Sequence, residues 1–180
     1  GDTVVVGDPI AASRKGKAFV WQWLDDEWTQ RGSTFAGASS WDLMRGSDLN
    51  YAGNVLALDE FQYGNRQGRV RSFDWDGLEW QADFSNVGGA GERIQYPSLS
   101  SNGNTIAYGS SLTTGSDPSA EGFVRVFQRV NADWIQKGID ITLSGTSREI
   151  KPLLNRAGDQ LLLLSLDASG DGLVCQAHIV

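Results

Sequence analysis

The side chains that could carry out covalent catalysis are few in this 180-residue chain. It contains one histidine, His178, and one cysteine, Cys175. A Ser-His-Asp or Cys-His arrangement would have to be built on His178 alone, and the residues beside Cys175 include no base or helix start that would activate a thiol. We interpret both as ordinary strand residues, and we expect that the chain is not an enzyme.

Acidic residues offer the next candidates, as general acids, bases or metal ligands. The pairs Asp25-Asp26 and Asp59-Glu60 lie where we expect loops, and we interpret them as solvated turn residues. Two segments, 74–79 and 167–172, resemble calcium loops but provide only two or three carboxylates, whereas calcium prefers six to eight oxygens. We therefore expect no metal, no cofactor and no catalytic site.

The elements that position these residues form a repeat with a period of about fifty residues. Each copy contains a strand that follows a glycine and a polar residue, and a second strand that follows another glycine. The first type begins at Gly1, Gly53, Gly103 and Gly158, and the second type begins at Gly16, Gly68, Gly122 and Gly172. A tryptophan recurs later in three copies, as Trp28, Trp80 and Trp134.

Each repeat unit holds four short runs of β-branched, aliphatic and aromatic residues separated by Gly, Asn, Asp and Ser, which predicts a four-stranded meander. Because many runs are apolar on successive residues, they need cover on both faces, and radial stacking of blades provides it. We predict an all-β fold, a β-propeller-like array of about four four-stranded antiparallel blades that is incomplete at both ends. The predicted units are 1–51, 52–101, 102–156 and 157–180 in a single repeat domain. A β-sandwich is the alternative.

Aromatic residues divide into periodic and non-periodic groups. We predict that Trp28, Trp80 and Trp134 occupy equivalent positions in successive sheets. Trp41 has no counterpart in the other copies, and Tyr63 and Arg66 lie in a loop of their own. Since aromatic and arginine side chains anchor binding surfaces, we predict that these three residues contribute to an interaction surface.

The strand motifs resemble those of FG-GAP repeats, which occur in integrin-type propellers. The resemblance rests on the Gly-Asn-Thr-Ile run at 103–106, the Gly-x-Val-x-Val-Phe run at 122–127 and the Asp-Gly-x-x-Trp run at 76–80. Val6-Gly7-Asp8-Pro9 stands where the family has Gly-Ala-Pro. The resemblance implies a propeller fold and an extracellular or cell-surface location.

Composition narrows the partners of the chain. Its net charge is −7 with scattered positive residues, which argues against binding to nucleic acid. No apolar run approaches the roughly 18 residues of a membrane span, so we expect no membrane insertion. An incomplete blade leaves an open strand edge, so we expect a protein partner, further copies of the chain in a homo-oligomer, or a fragment of a longer propeller.

Together these features predict a non-catalytic propeller module for protein–protein interaction or structural assembly through blade edges and loops. The alternative is a carbohydrate-binding, lectin-like propeller module, in which Trp41 and Tyr63 would stack on sugar rings. A third hypothesis, an enzyme with its site at the propeller mouth, would require converging polar groups. The sequence does not reveal such a group.

Overall fold

Short antiparallel strands make up most of the molecule. The structure, a computed structural model, describes residues 1–111, 122–142, 149–166 and 173–179. Within these ranges the strands are β1 (Thr3–Asp8), β2 (Lys17–Leu24), β3 (Glu27–Gln30), β4 (Phe35–Ala36), β5 (Met44–Leu49), β6 (Val55–Glu60), β7 (Arg69–Trp75), β8 (Trp80–Val87), β9 (Ile94–Leu99), β10 (Thr105–Ser110), β11 (Phe123–Val130), β12 (Asp133–Gln136), β13 (Ile141–Thr142), β14 (Glu149–Leu154), β15 (Gln160–Leu166) and β16 (Leu173–Ile179). Two single-turn helices, α1 (Ala11–Arg14) and α2 (Tyr63–Arg66), connect strands.

The strands form four separate antiparallel sheets that follow one another along the chain. Their orders are β1-β2-β3, β5-β6-β7-β8, β9-β10-β11-β12 and β14-β15-β16. The two-residue strands β4 and β13 continue the outer strands β3 and β12, and they pair with β2 and β11. The predicted all-β, propeller-like fold, with incomplete sheets at both ends, is confirmed.

The sheets are offset by one strand from the sequence units. Strand β5 ends the first unit, 1–51, yet it pairs with β6 of the second unit, with Leu49 opposite Leu56. The reason is the tight hairpin between them, in which the Asn50 side chain accepts hydrogen bonds from the backbone N–H groups of Asn54 and Val55, both at 2.9 Å. The second, third and fourth sheets therefore begin with the strands that end in leucine, β5, β9 and β14.

Strands β5, β9 and β14 begin their sheets and contact one another from blade to blade. Two side-chain hydrogen bonds join them. The Leu99 N–H donates to Asp48 Oδ2 at 2.7 Å, and the Leu154 N–H donates to Ser98 Oγ at 3.1 Å. In a propeller the strands that adjoin in this way surround the central channel. We call β5, β9 and β14 the inner strands.

Three hydrophobic cores lie between consecutive sheets. The first joins sheets one and two through residues such as Val20 and Leu56, and the third joins sheets three and four through residues such as Val126 and Leu163. The second core, between the two middle sheets, includes Tyr108 and Phe127. Strands β6 and β10 are buried at every residue because they contact a neighbouring sheet on both faces.

The recurrent tryptophans occupy equivalent positions, as predicted. Trp28, Trp80 and Trp134 lie opposite residues 23, 75 and 129 in their sheets, which are themselves equivalent. Trp80 is 9% exposed and donates its indole N–H to the Arg31 carbonyl of the preceding sheet at 3.0 Å. Trp28 is 49% exposed, since its sheet has no preceding sheet in this chain.

Candidate functional site

The structure brings the three predicted interaction residues together. Trp41, Tyr63 and Arg66 all line one cavity of about 490 Å³, which lies between the segments 39–42 and 62–66. The first segment belongs to the connection between sheets one and two, and the second joins β6 to β7. Their role as an interaction surface stays a prediction, as does the expected protein partner.

The interpretation of Asp59-Glu60 as a solvated turn was wrong. Both residues end strand β6, and both are only 1% exposed. Sequence reasoning placed them in a loop because acidic residues favour solvent and turns. In the structure the strand continues through Glu60, which pairs with Arg69, and the neighbouring sheets cover it. The other pair, Asp25-Asp26, is exposed at a turn as expected.

Polar side chains converge around Asp59 at one end of the inner strands. Each inner strand has a polar residue directly after a buried apolar one. These polar residues are Arg45 in β5, Gln95 in β9 and Lys151 in β14, and the register places them opposite residues 59, 109 and 164. They are therefore equivalent positions in adjacent blades. Together with Asp59 and Tyr96 we call them the axial cluster. It lies at the end of the propeller opposite the Asn50–Gly53 hairpin.

Asp59 holds the centre of the axial cluster. Its Oδ2 accepts a hydrogen bond from the Tyr96 N–H at 3.1 Å and lies 3.7 Å from the Arg45 guanidinium. Its Oδ1 is buried without a hydrogen-bond partner in the described part of the chain. Burial raises the pKa of the Asp59 carboxyl, and the charge of Arg45 opposes that rise only in part. A buried carboxyl with a raised pKa is a marker of functional sites.

Arg45 links Asp59 to the next blade. Its guanidinium donates a hydrogen bond to Gln95 Oε1 and lies over two aromatic rings, with centroid distances of 4.4 Å to Phe61 and 4.9 Å to Tyr96. Its side chain is 30% exposed, whereas that of Asp59 is 1% exposed. A ligand in the central channel therefore meets Arg45 first, and Asp59 lies behind it.

Tyr96 has an unusual backbone conformation for a tyrosine. Its φ is +55°, at a point where the register between β9 and β10 shifts. This left-handed conformation is costly for a residue other than glycine and is frequent at binding and catalytic sites. The hydrogen bond from the Tyr96 N–H to Asp59 holds the strained turn. The Lys151 ammonium lies 5.8 Å from the Tyr96 ring centroid, so the ring has cations from two blades beside it.

Glu60 has a different environment. It accepts a hydrogen bond from Arg69 Nη2 at 2.7 Å, and its carboxylate lies 3.2 Å from Arg71 Nε. Because two guanidinium groups compensate this buried charge, we assign Glu60 to the stability of sheet two. Asp59, with its unpartnered oxygen, is the residue available for function.

Other candidates from the sequence behave as turns or lie outside the description. Asp76 Oδ1 accepts hydrogen bonds from the N–H groups of Leu78 and Glu79, at 2.8 and 2.9 Å, as a hairpin turn requires. The segment 167–172 lies outside the described residues, as do the side chains of Cys175 and His178. Among the described residues, no group of three His, Cys, Asp or Glu side chains could hold a metal ion, and no helix could cross a membrane.

One sequence signal could have revealed Asp59. In the equivalent strands its position is occupied by Gly7, Gly109 and Leu164. A carboxyl where other copies of the repeat have small or apolar residues departs from what the fold requires, and such departures concentrate at functional sites. The alignment of the repeats shows this difference in residue type. The difference points to function only once the position is known to be buried, because an exposed aspartate would be ordinary.

Comparison with solved structures places the chain among β-propeller-like proteins. It is similar to a candidate 6-phosphogluconolactonase from Bacteroides uniformis, with 14% identity and a TM-score of 0.56 over 93% of this chain and 50% of that one. It is similar to the periplasmic gluconolactonase PpgL of Pseudomonas aeruginosa, with 15% identity and a TM-score of 0.54 over 100% of this chain and 52% of that one. It is also similar to KlAtg21, solved with the coiled coil of AgAtg16, with 16% identity and a TM-score of 0.58 over 93% and 47%.

The chain thus spans about half the length of these structures. No family model matches it, and no curated protein matches it. At such low identity the comparisons establish the fold, and the FG-GAP type of repeat is not singled out among propellers.

The comparisons overturn the expectation of a non-catalytic module for protein interaction or assembly, together with its carbohydrate-binding alternative. Several of the similar structures are named as 6-phosphogluconolactonases or gluconolactonases. The expectation rested on the lack of converging polar groups in the sequence. The axial cluster is such a group, assembled from three blades, and the names of the similar structures contradict the expectation that the chain is not an enzyme.

Proposed function

We propose that the chain carries the site of a hydrolase that opens a sugar lactone at the axial cluster. The observation that carries this proposal is the Asp59–Arg45 pair. Arg45 places a partly exposed guanidinium on an inner strand, and Asp59 places a buried carboxyl on β6, where the equivalent strands have Gly7, Gly109 and Leu164. The names of the gluconolactonases that share the fold supply the class of reaction.

In this reaction water adds to the lactone carbonyl carbon, the ring C–O bond breaks and the ring oxygen takes up a proton. Negative charge develops on the carbonyl oxygen during the addition. Arg45 is the group that meets it, because a fixed guanidinium in a partly desolvated site stabilises an oxyanion without having to reorganise. Lys151, exposed on the third inner strand, adds positive charge that attracts sugar lactones carrying an anionic group.

Asp59 is a positioning residue in this scheme. Its side chain is too buried to touch the substrate, but it fixes both the Arg45 guanidinium and the Tyr96 backbone. Because its pKa is raised, its charge state changes at a higher pH than that of an exposed aspartate. The charge state of Asp59 then controls how firmly Arg45 is held.

The test is hydrolysis of glucono-δ-lactone by the 180-residue chain, measured as acid release in a pH-stat and corrected for spontaneous hydrolysis. We expect Arg45→Gln to lower kcat/KM by about 100-fold, the usual loss of one oxyanion-stabilising donor. Asp59→Asn is expected to lower it less and to change the acidic limb of the pH–rate profile, which a merely structural role would not do.

Arg156→Gln is the matched control. Arg156 is an exposed arginine that lies over Tyr51 at the opposite end of the propeller, 4.5 Å from the ring centroid. This variant should hydrolyse the lactone at the rate of the parent chain. Hydrolysis no faster than the buffer blank, or Arg45→Gln within twofold of the parent, would reject the proposal. Thermal unfolding of each variant establishes that it is folded.

We also propose that the repeat is of the FG-GAP type. Support comes from the motif that continues into β11 as Gly-Phe-Val-Arg-Val-Phe, and from the Asp-Gly hairpin that leads into Trp80. This assignment concerns the ancestry of the blades and leaves the proposed reaction unchanged, because propellers host many unrelated activities.

A further inference from the structure

The cavity lined by Trp41, Tyr63 and Arg66 has the features of a second ligand site, independent of the axial cluster. Its volume of about 490 Å³ falls in the range of small-molecule sites. The remaining lining is polar, from Ser39, Ser40, Asp42, Gln62, Gly64 and Asn65.

Both aromatic rings have a guanidinium group on one face. Arg14 lies 4.0 Å from the Trp41 ring centroid, and Arg69 lies 3.9 Å from the Tyr63 ring centroid. Neither arginine is among the residues that line the cavity. A cation on one face of a ring is attracted to its negative π cloud. A second cation on the other face would be repelled by the first, so that face favours a planar, uncharged ring. Trp41 is 53% exposed, so its surface is accessible.

The charges around the cavity do not balance. Arg69 and Arg71 have Glu60 as an ion-pair partner, and Asp42 adds negative charge near both; burial nevertheless lowers the pKa of Arg71. In contrast, no carboxylate lies within 4.0 Å of Arg14 or Arg66 among the described residues. The cavity therefore carries an excess of positive charge, and Arg66, exposed on its wall, is the cation that an anion would reach.

The loop conformations around the cavity are costly and well anchored. Trp41, Asn65 and Arg66 have φ values of +77°, +63° and +69°, in the left-handed region that favours glycine. The Trp41 N–H donates to the Arg14 carbonyl at 2.9 Å, and the Gln62 N–H donates to the Asp42 carbonyl at 3.1 Å. Such strain persists where the surroundings impose it, and it concentrates at sites that clamp ligands.

The repeat provides an internal comparison. The turn conformation recurs in the first blade, where Ser13 and Arg14 are also left-handed, but Ala11 stands at the position of Tyr63. In the next connection between sheets, Gly91 stands at the position of Trp41. The fold therefore forms these loops without the two aromatic rings, and the rings need another explanation.

We propose that this cavity binds a planar heteroaromatic ring that carries an anionic group, of the size of a nucleoside monophosphate. The ring stacks on Trp41 and Tyr63, and the anionic group pairs with Arg66. Stacking of a base on an aromatic side chain contributes about 1–3 kcal/mol by alanine substitution, which corresponds to roughly a fivefold to hundredfold change in affinity.

Isothermal titration of the 180-residue chain with three probes tests the proposal. AMP carries both the ring and the anion, adenosine lacks the anion, and ribose 5-phosphate lacks the ring. We expect AMP to bind at least about tenfold more tightly than either of the other two. Trp41→Ala should weaken AMP and adenosine alike, whereas Arg66→Gln should weaken AMP and leave adenosine unchanged.

Two further variants separate this site from the rest of the molecule. Arg156→Gln, at the opposite end, should bind AMP like the parent chain. Arg45→Gln should do so as well, so that loss of lactone hydrolysis and loss of AMP binding are distinguishable. No heat of binding with millimolar AMP, equal affinities for the three probes, or an AMP affinity unaffected by Trp41→Ala would overturn the proposal.

Discussion

Asp59 is a carboxyl at a buried strand position that favours an apolar side chain. Strand β6 is covered on both faces, and an apolar residue would stabilise that position, as Leu164 does in β15. A carboxyl there loses hydration, and the compensation is incomplete: backbone N–H groups, that of Tyr96 among them, and the Arg45 guanidinium lower its pKa, but burial still raises it overall. The free energy of unfolding is therefore lower with Asp59 than it would be with an apolar residue at this position.

The raised pKa of Asp59 predicts a specific dependence of stability on pH. Its pKa in the folded protein is above the usual 3.8, so between these two values the folded state binds more protons than the unfolded state. The free energy of unfolding must then fall as pH rises through this window. Asp59→Asn removes the titration, so the stability of the variant relative to the parent should increase with pH across this window.

Urea unfolding at half-unit steps from pH 3.5 to 7.5 measures this difference. Asp25→Asn is the control, because Asp25 is an exposed turn residue and its replacement should leave the slope unchanged. A parent and an Asp59→Asn variant with parallel pH profiles would mean that Asp59 is ordinary in its ionisation.

At the scale of elements, the recurrent tryptophans join consecutive sheets. The Trp80 indole donates to the Arg31 carbonyl, and its ring lies 6.5 Å from that of Phe35, both in sheet one. Trp134 does the same one sheet later, since its indole N–H donates to Asp83 and its ring lies 5.3 Å from that of Phe84. Each tryptophan thus binds its sheet to the outer strand of the preceding sheet.

This arrangement predicts unequal effects of equivalent substitutions. Trp80→Ala should reduce the free energy of unfolding by about 3–5 kcal/mol, the usual cost for a buried large aromatic residue. Trp28→Ala should cost only about 1 kcal/mol, because the Trp28 ring is half exposed and contacts mainly Trp23, with a centroid distance of 5.4 Å. Denaturant unfolding of both variants checks the difference; equal losses would show that the tryptophans act within their own sheets.

The sequence predicted the elements better than the site, for a physical reason. The alternation of apolar and turn residues is local, so the hairpins and the equivalence of Trp28, Trp80 and Trp134 could be deduced from it. The axial cluster is formed by residues of three blades, Asp59, Gln95 and Lys151 among them, which only the register of the sheets brings together. Asp59 was also assigned to a loop, because two acidic residues at the end of an apolar run resemble a solvated turn.

At the scale of the whole molecule, stability is distributed along a row of sheets whose hydrophobic cores, in the part of the chain that the structure describes, join consecutive sheets. The three cores lie between sheets one and two, two and three, and three and four. For such an arrangement, stability is close to a sum of sheet terms and nearest-neighbour interface terms. The two middle sheets have two interfaces each in this chain, whereas sheet one has a single interface.

Amide hydrogen exchange should therefore differ between equivalent strands. Strands β6 and β10 are buried at every residue and paired on both sides, so their amides should exchange only by global unfolding. Strand β1 pairs with β2 alone among the described strands, and Val4 and Val6 are 40% and 49% exposed.

We expect the β1 amides that pair with β2 to exchange at least about tenfold faster than the equivalent amides of β6, measured by NMR at neutral pH. Comparing only hydrogen-bonded amides removes the trivial effect of the open strand edge. If those amides of β1 exchange as slowly as those of β6, the 180-residue chain unfolds as one cooperative unit, and the nearest-neighbour description does not apply to it.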